Sequence, residues 1–224
     1  MQVRVGLVGY RMGNLMSLFN AFQAIQAGVF VADTPEQLAE ATHLVLPGVG
    51  AFPMGMEHLT GLGFEPVLRR LVLDQGRPLL GVCLGMQLLA STGEEHRRCQ
   101  GLGFIPGRAT RLNGQGVRIP HIGWNDTVSC RDNPLLGPAG ATDSFYYVHS
   151  YHLVPDEASH TIMTCEHGHP FAAAVARGNI FGVQFHPEKS HAGGLAVLKR
   201  FTEVGHAQTA ADSVPVPAER PHRA

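Results

Sequence analysis

Charge is scarce in this chain and evenly divided. Only 16% of its 224 residues are charged, and 17 Lys and Arg stand against 18 Asp and Glu, a net charge of −1. Without a positive excess there is nothing to hold a polyanion, so no nucleic acid partner is expected. Long hydrophobic runs are also missing. The longest nearly apolar stretch, Pro78 to Ala90, falls short of the roughly 20 residues a membrane helix needs, so no membrane is expected either. Cysteine is sparse: Cys83, Cys99, Cys130 and Cys165 contain no C-x-x-C pair. A chain of this length buries roughly 70% of its unfolded surface without staples, which predicts free thiols in a reducing, cytoplasmic setting. The N-terminal residues pass straight into a strand pattern, with no charged n-region and no apolar h-region, so no secretory signal is expected.

What is present is a 44% hydrophobic composition, which excludes a disordered chain, and thirteen histidines. The histidines are either metal ligands or a few chemically active groups among bystanders. His167-x-His169 and His149/His152 are the tight pairs, and no cysteine lies at zinc-finger spacing from them. No metal and no cofactor are therefore expected.

The first half alternates strand and helix signals. Val3 to Val8 reads as a short strand buried on both faces, and Val29 to Asp33, His43 to Leu46 and Pro78 to Val82 read as further strands. Leu15, Leu18, Phe19, Phe22 and Ile25 fall at helical spacing, and Thr34-Pro-Glu-Gln37 starts a short capped helix. Phe64 to about Gln75 and Leu84 to about Thr92 read as further helices. This rhythm predicts an α/β fold, an open and mostly parallel sheet flanked by helices. From about Val117 the signals are mostly strands, among them Phe145 to Leu153, Thr161 to Cys165, Phe171 to Ala176 and Ile180 to Phe185. They predict an added antiparallel β region before a last helix, Gly194 to Val204. Residues 1–205 read as a single domain and 206–224 as a disordered tail.

Three places can carry chemistry. In Gly81-Val-Cys83-Leu-Gly85 a strand enters a sharp turn and then a helix, the geometry of a nucleophile elbow with Cys83 at its apex. The helix N-terminus favours a thiolate, and the Leu84 N–H is offered to a developing oxyanion. The alternative is that Cys83 is a small buried hydrophobe. In His186-Pro-Glu188, Pro187 keeps the chain extended, so residues 186 and 188 share a side and the carboxylate can fix the imidazole tautomer. The alternative is a polar strand end in solvent. Pro47-Gly48-Val49-Gly50 ends a strand with two glycines that free backbone N–H groups to aim into a site.

Together, Cys83-Leu-Gly-Met-Gln87 and Phe185-His-Pro-Glu-Lys189 resemble the class I, triad-type glutamine amidotransferases. Leu46 to Phe52, Ile119-Pro-His-Ile-Gly-Trp-Asn125, Tyr147-Val-His-Ser-Tyr151 and Gly182 to Ser190 are similar to the glutaminase subunits of imidazole glycerol phosphate synthase. The resemblance covers about residues 3–201. It implies that Cys83 attacks the carboxamide of L-glutamine, that His186 manages protons and that Glu188 orients it. Backbone N–H groups at Gly48, Val49, Gly50 and Leu84 would hold the oxyanion, and Gln87 would help seat the substrate. It also implies a cyclase subunit as heterodimer partner, receiving ammonia in histidine biosynthesis, with His121, Trp124 and Tyr146 facing that partner and the ammonia passage. Core packing is the alternative for Trp124 and Tyr146. A glutaminase serving another synthase, for instance one making an aminated sugar, is the alternative for the whole chain. A degenerate assembly subunit and a γ-glutamyl peptidase are the remaining ones. The chain departs from the family at Gly9 and Arg11, where Asp and Gly are usual, and at His167-Gly168. If position 11 needs a positive φ, Arg11 is strained there.

Overall fold

Apolar residues on both sides of a strand require cover on both faces, and the computed structural model, which describes residues 2–114 and 116–205, supplies it. The parallel strands are β1 (Arg4–Val8), β2 (Gly28–Ala32), β3 (His43–Leu46) and β4 (Leu79–Val82). Along β3, Leu44 and Leu46 pack into one core while Val45 packs into the other, and Leu79 and Leu80 on β4 divide the same way. Helices α1 (Leu15–Ala24) and α5 (His191–Glu203) cover one face through Phe22, Leu198 and Phe201. Helices α2 (Phe52–Gly61) and α3 (Phe64–Arg69) cover the other through Leu59, Phe64 and Leu68.

The chain continues through α4 (Leu84–Leu88), β5 (Ala90–Gly93), β6 (Cys99–Gln100), β7 (Ile105–Arg111), β8 (His121–Ser129) and β9 (Thr142–His149). Then come β10 (Tyr151–Pro155), β11 (Thr161–Glu166), β12 (Pro170–Arg177) and β13 (Ile180–Val183). Nine strands form one sheet in the order β2-β1-β3-β4-β13-β12-β11-β8-β9, and four form another, β10-β7-β5-β6. Pairings from β2 to β13 are parallel, and those from β13 outward to β9 are antiparallel. The α/β class and the added antiparallel region are as the sequence predicts. The loops after β1, β3, β4 and β13 all lie at one edge of the parallel sheet, where open α/β sheets place their sites.

Several local readings need correction. The helix after Cys83 ends at Leu88 instead of running to Thr92, because Leu102 and Ile105 donate to the carbonyls of Leu88 and Leu89 and draw the chain into β5. The single strand expected over Phe145 to Leu153 breaks at Ser150, where β9 and β10 enter different sheets. Helix α2 went unpredicted, since Pro53, Gly55 and Gly61 dilute its helical signal. The last helix starts at His191, three residues early. The expected tail, 206–224, lies outside the described residues.

Candidate active site

Cys83 stands at the end of β4 with φ 55° and ψ −111°, a left-handed conformation that a β-carbon makes costly. Such strain costs of order 1–3 kcal/mol and persists only where the surroundings enforce it. Two glycines allow it here. A Cβ on Gly85 would lie 1.8 Å from the Leu46 carbonyl oxygen, and one on Gly81 would lie 2.7 Å from that of Gly85. Only a side-chain-free backbone lets α4 fold back this tightly against β3 and β4. The Cys83 N–H donates to Val183 at 2.8 Å, tying the elbow to β13. Because α4 has five residues, first-turn N–H groups, and not a long macrodipole, supply positive potential at the sulfur.

His186 follows β13 and donates its backbone N–H to the Tyr146 carbonyl at 2.9 Å. Its Nδ1 meets Glu188 Oε1 at 2.9 Å, with both side chains nearly fully buried. The pairing agrees with the sequence reading, but its cause differs. After an extended His186 the chain turns into a 3-10 turn, Pro187–Lys189, which swings Glu188 under the ring. Ser190 locks that turn by donating to the His186 carbonyl at 2.7 Å while accepting from the Tyr146 N–H at 3.0 Å. Glu188 Oε1 accepts from the Nδ1–H, while Nε2 is left buried without a hydrogen-bond partner, as is Glu188 Oε2. Burial pulls the His186 pKa down, but Cys83 and Glu188 together outweigh it and hold it up at about 9. Cys83 acts electrostatically across a gap that is not a formed hydrogen bond, as is common before substrate binds.

A cavity of about 430 Å³ opens onto these groups, lined by Val49, Gly50, Cys83, Leu84, Gln87, Glu95, Pro120, Val148 to Tyr151, His186 and Lys189. Gly48 is wedged behind it, where a Cβ would meet Tyr10 Oη at 2.7 Å and Gly85 N at 2.9 Å. Gly50 has φ 118°, and Val49 between them is half exposed. The Leu84 N–H, at the first helical position, has no intrahelical acceptor and borders the same space. A thiol, an imidazole paired with a carboxylate and spare backbone donors therefore converge on one concave surface. Residues 12–203 match the class-I glutamine amidotransferase family. The chain belongs to that family.

Its relatives include "Imidazole glycerol phosphate synthase subunit HisH" from Moorella thermoacetica, 46% identical over 208 residues, which cover 92% of this chain and 98% of that protein. The protein of the same name from Syntrophotalea carbinolica is 43% identical over 205 residues, 88% of this chain and 98% of its own. Among solved structures, PurLQS from Thermotoga maritima superposes with a TM-score of 0.71 at 18% identity, covering 91% of this chain and 99% of that one. A structure described as a glutamine amidotransferase gives 0.70 at 18% identity over 89% and 97%. At that identity the two structures speak for the fold alone.

Gln87 is buried one turn along from Cys83 in this amidotransferase, and its Nε2 donates to the Tyr151 carbonyl at 2.8 Å and to Gln184 Oε1 at 3.1 Å. Trp124 and Tyr146 are cross-strand partners on β8 and β9 with rings 6.2 Å apart. Trp124 is 47% exposed, which excludes the core-packing alternative for it, and it stacks on His191 at 4.9 Å. His121 requires correction. It lies three positions before Trp124 on the same strand, so it points to the opposite side of the sheet, and it is buried. It cannot share an outward face with Trp124.

Sequence reasoning missed Tyr10 and Gln184. Tyr10 is fully buried, and its hydroxyl donates to the Pro47 carbonyl at 2.6 Å, bracing the glycine loop. Burial pushes its pKa up, with Cys83 adding to the effect. Gln184 Nε2 lies 3.7 Å from Cys83 Sγ. A glutamine within the apolar run Ile180–Phe185 was the visible signal. Arg11 has φ 66°, so the departure from the family's glycine is a strained residue on an exposed loop. Among the described residues no group of three or more His, Cys, Asp or Glu could hold a metal ion, and no helix is long and apolar enough to cross a membrane.

Proposed function

We propose that this chain is the glutaminase subunit of an imidazole glycerol phosphate synthase, hydrolysing L-glutamine to glutamate and passing ammonia to a cyclase subunit in histidine biosynthesis. His186 takes the Cys83 proton, and the thiolate adds to the glutamine carboxamide carbon. The N–H groups of Leu84 and of the Gly48–Gly50 loop receive the oxyanion. The imidazolium then protonates the departing nitrogen, ammonia leaves, and a γ-glutamyl thioester remains on Cys83. Water, deprotonated by His186, hydrolyses the thioester to glutamate and frees the thiol. Glu188 keeps the Nδ1 proton in place throughout, and Gln87 helps seat the substrate. Glu95, the acidic side chain on the described cavity lining, is the group available to the substrate ammonium.

The observation that carries the reading is the buried Cys83 elbow facing a His186–Glu188 pair, in a chain 46% identical to a HisH subunit. Both halves of the chain line one cavity, so we take residues 1–205 as one functional unit. Trp124, Tyr146 and the exposed Ile122 and Val148 of the same outer face form the proposed cyclase contact. These relatives favour a partner in histidine biosynthesis over a synthase of another pathway, and a cytoplasmic heterodimer follows as part of the same proposal. Labelling with the electrophilic glutamine analogue 6-diazo-5-oxo-norleucine tests it: the adduct is expected on Cys83 and forms faster when the cyclase subunit is present. An adduct on another residue overturns the site assignment.

A further inference from the structure

Behind the cavity wall lies a hydrogen-bond chain whose direction is fixed at one end. The Tyr151 carbonyl can only accept, so His149 Nδ1, 2.9 Å away, carries a proton and His149 Nε2 is an acceptor. His121 Nδ1, 3.1 Å from that Nε2, must then be the donor, leaving His121 Nε2 to accept from Asn125 Nδ2 at 3.3 Å. The two histidines are cross-strand neighbours on β8 and β9 and are both buried. The chain needs both rings neutral, and burial holds His121 down to about 4 and His149 down to about 3.

Beyond Tyr151 the chain continues to the nucleophile. The same carbonyl accepts from Gln87 Nε2, whose second proton goes to Gln184 Oε1, and Gln184 Nε2 reaches Cys83 Sγ at 3.7 Å. The Tyr151 carbonyl thus joins the β8–β9 histidines to Gln87 and, through it, to the Gln184 amide beside the sulfur. It belongs to the first residue of β10, just past Ser150 where the chain leaves one sheet for the other; Tyr151 is registered with Arg111 on β7, and its carbonyl receives the side-chain bonds of Gln87 and His149.

We propose that His121 and His149 are a positioning pair, holding the Tyr151 carbonyl so that Gln87 and Gln184 keep Cys83 in its reactive place. The proposal rests on the glutaminase reading. Strands β8 and β9 carry this pair on the inner face and Trp124 and Tyr146 on the outer one, so the outer surface and the nucleophile share one backbone.

His121→Phe and His121→Asn separate positioning from packing. Phenylalanine keeps the ring that stacks on Tyr147 at 4.7 Å and on His167 at 4.0 Å, but cannot donate. Asparagine gives up those stacks and keeps an N–H near the place of Nδ1. Glutamine turnover by the complex with the cyclase subunit is expected to fall roughly 10- to 100-fold in kcat for His121→Phe, with KM changed far less. His121→Asn is expected to recover part of that loss despite a lower melting temperature. Wild-type kcat in His121→Phe, or activities that follow melting temperature with Phe above Asn, overturns the proposal. If His121→Asn does not fold, His149→Asn, which retains the donor to Tyr151, must exceed His149→Leu in kcat, and equality overturns it. A wild-type complex that releases no glutamate from glutamine defeats the glutaminase reading itself, a result distinct from any ordering of the variants.

Discussion

Replacing Glu188 by Gln removes one charge from a buried contact while leaving its shape. His186 sits at about 9 because Cys83 and Glu188 outweigh a burial that alone would pull it below its ordinary 6.5. The two partners together therefore favour the imidazolium by more than burial disfavours it. Taking Glu188 away leaves Cys83 alone against burial, so the His186 pKa falls. The imidazolium is the acid that protonates departing ammonia, so kcat/KM for glutamine loses its alkaline limb near pH 9 and gains one nearer neutrality. Turnover at pH 7.5 drops by up to roughly 10⁴-fold, the loss seen when the orienting carboxylate of a triad is replaced by its amide. The same shift has a stability signature. A folded pKa above the unfolded value stabilises fully below pH 6.5, and that contribution is lost as pH rises through about 9. Denaturant unfolding of the wild type should therefore weaken between pH 6.5 and 9 more than that of Glu188→Gln. An alkaline limb that stays near 9 in the variant refutes this account of His186.

Other perturbations follow from the same contacts. Gly85→Ala drives a methyl into the Leu46 carbonyl, 1.8 Å from the ideal Cβ, and must push α4 off β3. It should cost at least 1–3 kcal/mol in denaturant unfolding and about 10²-fold in turnover. Gly61→Ala, with nothing within 4 Å, should leave both unchanged or slightly improved. His149 is neutral and buried, with a pKa held down to about 3, so stability present above pH 6.5 is lost as pH falls toward 3. Melting temperatures at pH 7.5 and 5 should differ in that direction, and the difference should narrow in His149→Asn while the other buried histidines, His121 and His152, keep the rest of it; a flat acid limb contradicts the burial argument.

The parallel half of the fold was legible because its inner strands β1, β3 and β4 are buried on both faces and its elements are punctuated by glycine. Leu44, Val45 and Leu46 read as an unbroken apolar run whichever core each enters. The elbow was legible for a related reason: Gly81 and Gly85 flank Cys83 where only a glycine fits. What stayed hidden depends on distant partners. The end of α4 is set by Leu102 and Ile105, residues far along the chain, and no local pattern in Leu84–Leu89 announces it. The split at Ser150 is likewise decided by β7 and β8 pairing with different sides of the break. His121 and Trp124 were grouped by motif, whereas the two-residue period of a strand separates them. Tyr10 escaped notice because its partner, the Pro47 carbonyl, is backbone.

The central claim is that Cys83 releases ammonia from glutamine for use by a second subunit. Its most direct measurement is the turnover of the complex of Cys83→Ala with the cyclase subunit, run once with glutamine and once with ammonium salt as nitrogen donor. The variant is expected to lose glutamine-dependent turnover completely and to keep ammonia-dependent turnover at the wild-type rate. Glutamine-dependent turnover that survives the substitution, or equal loss of both, contradicts the account.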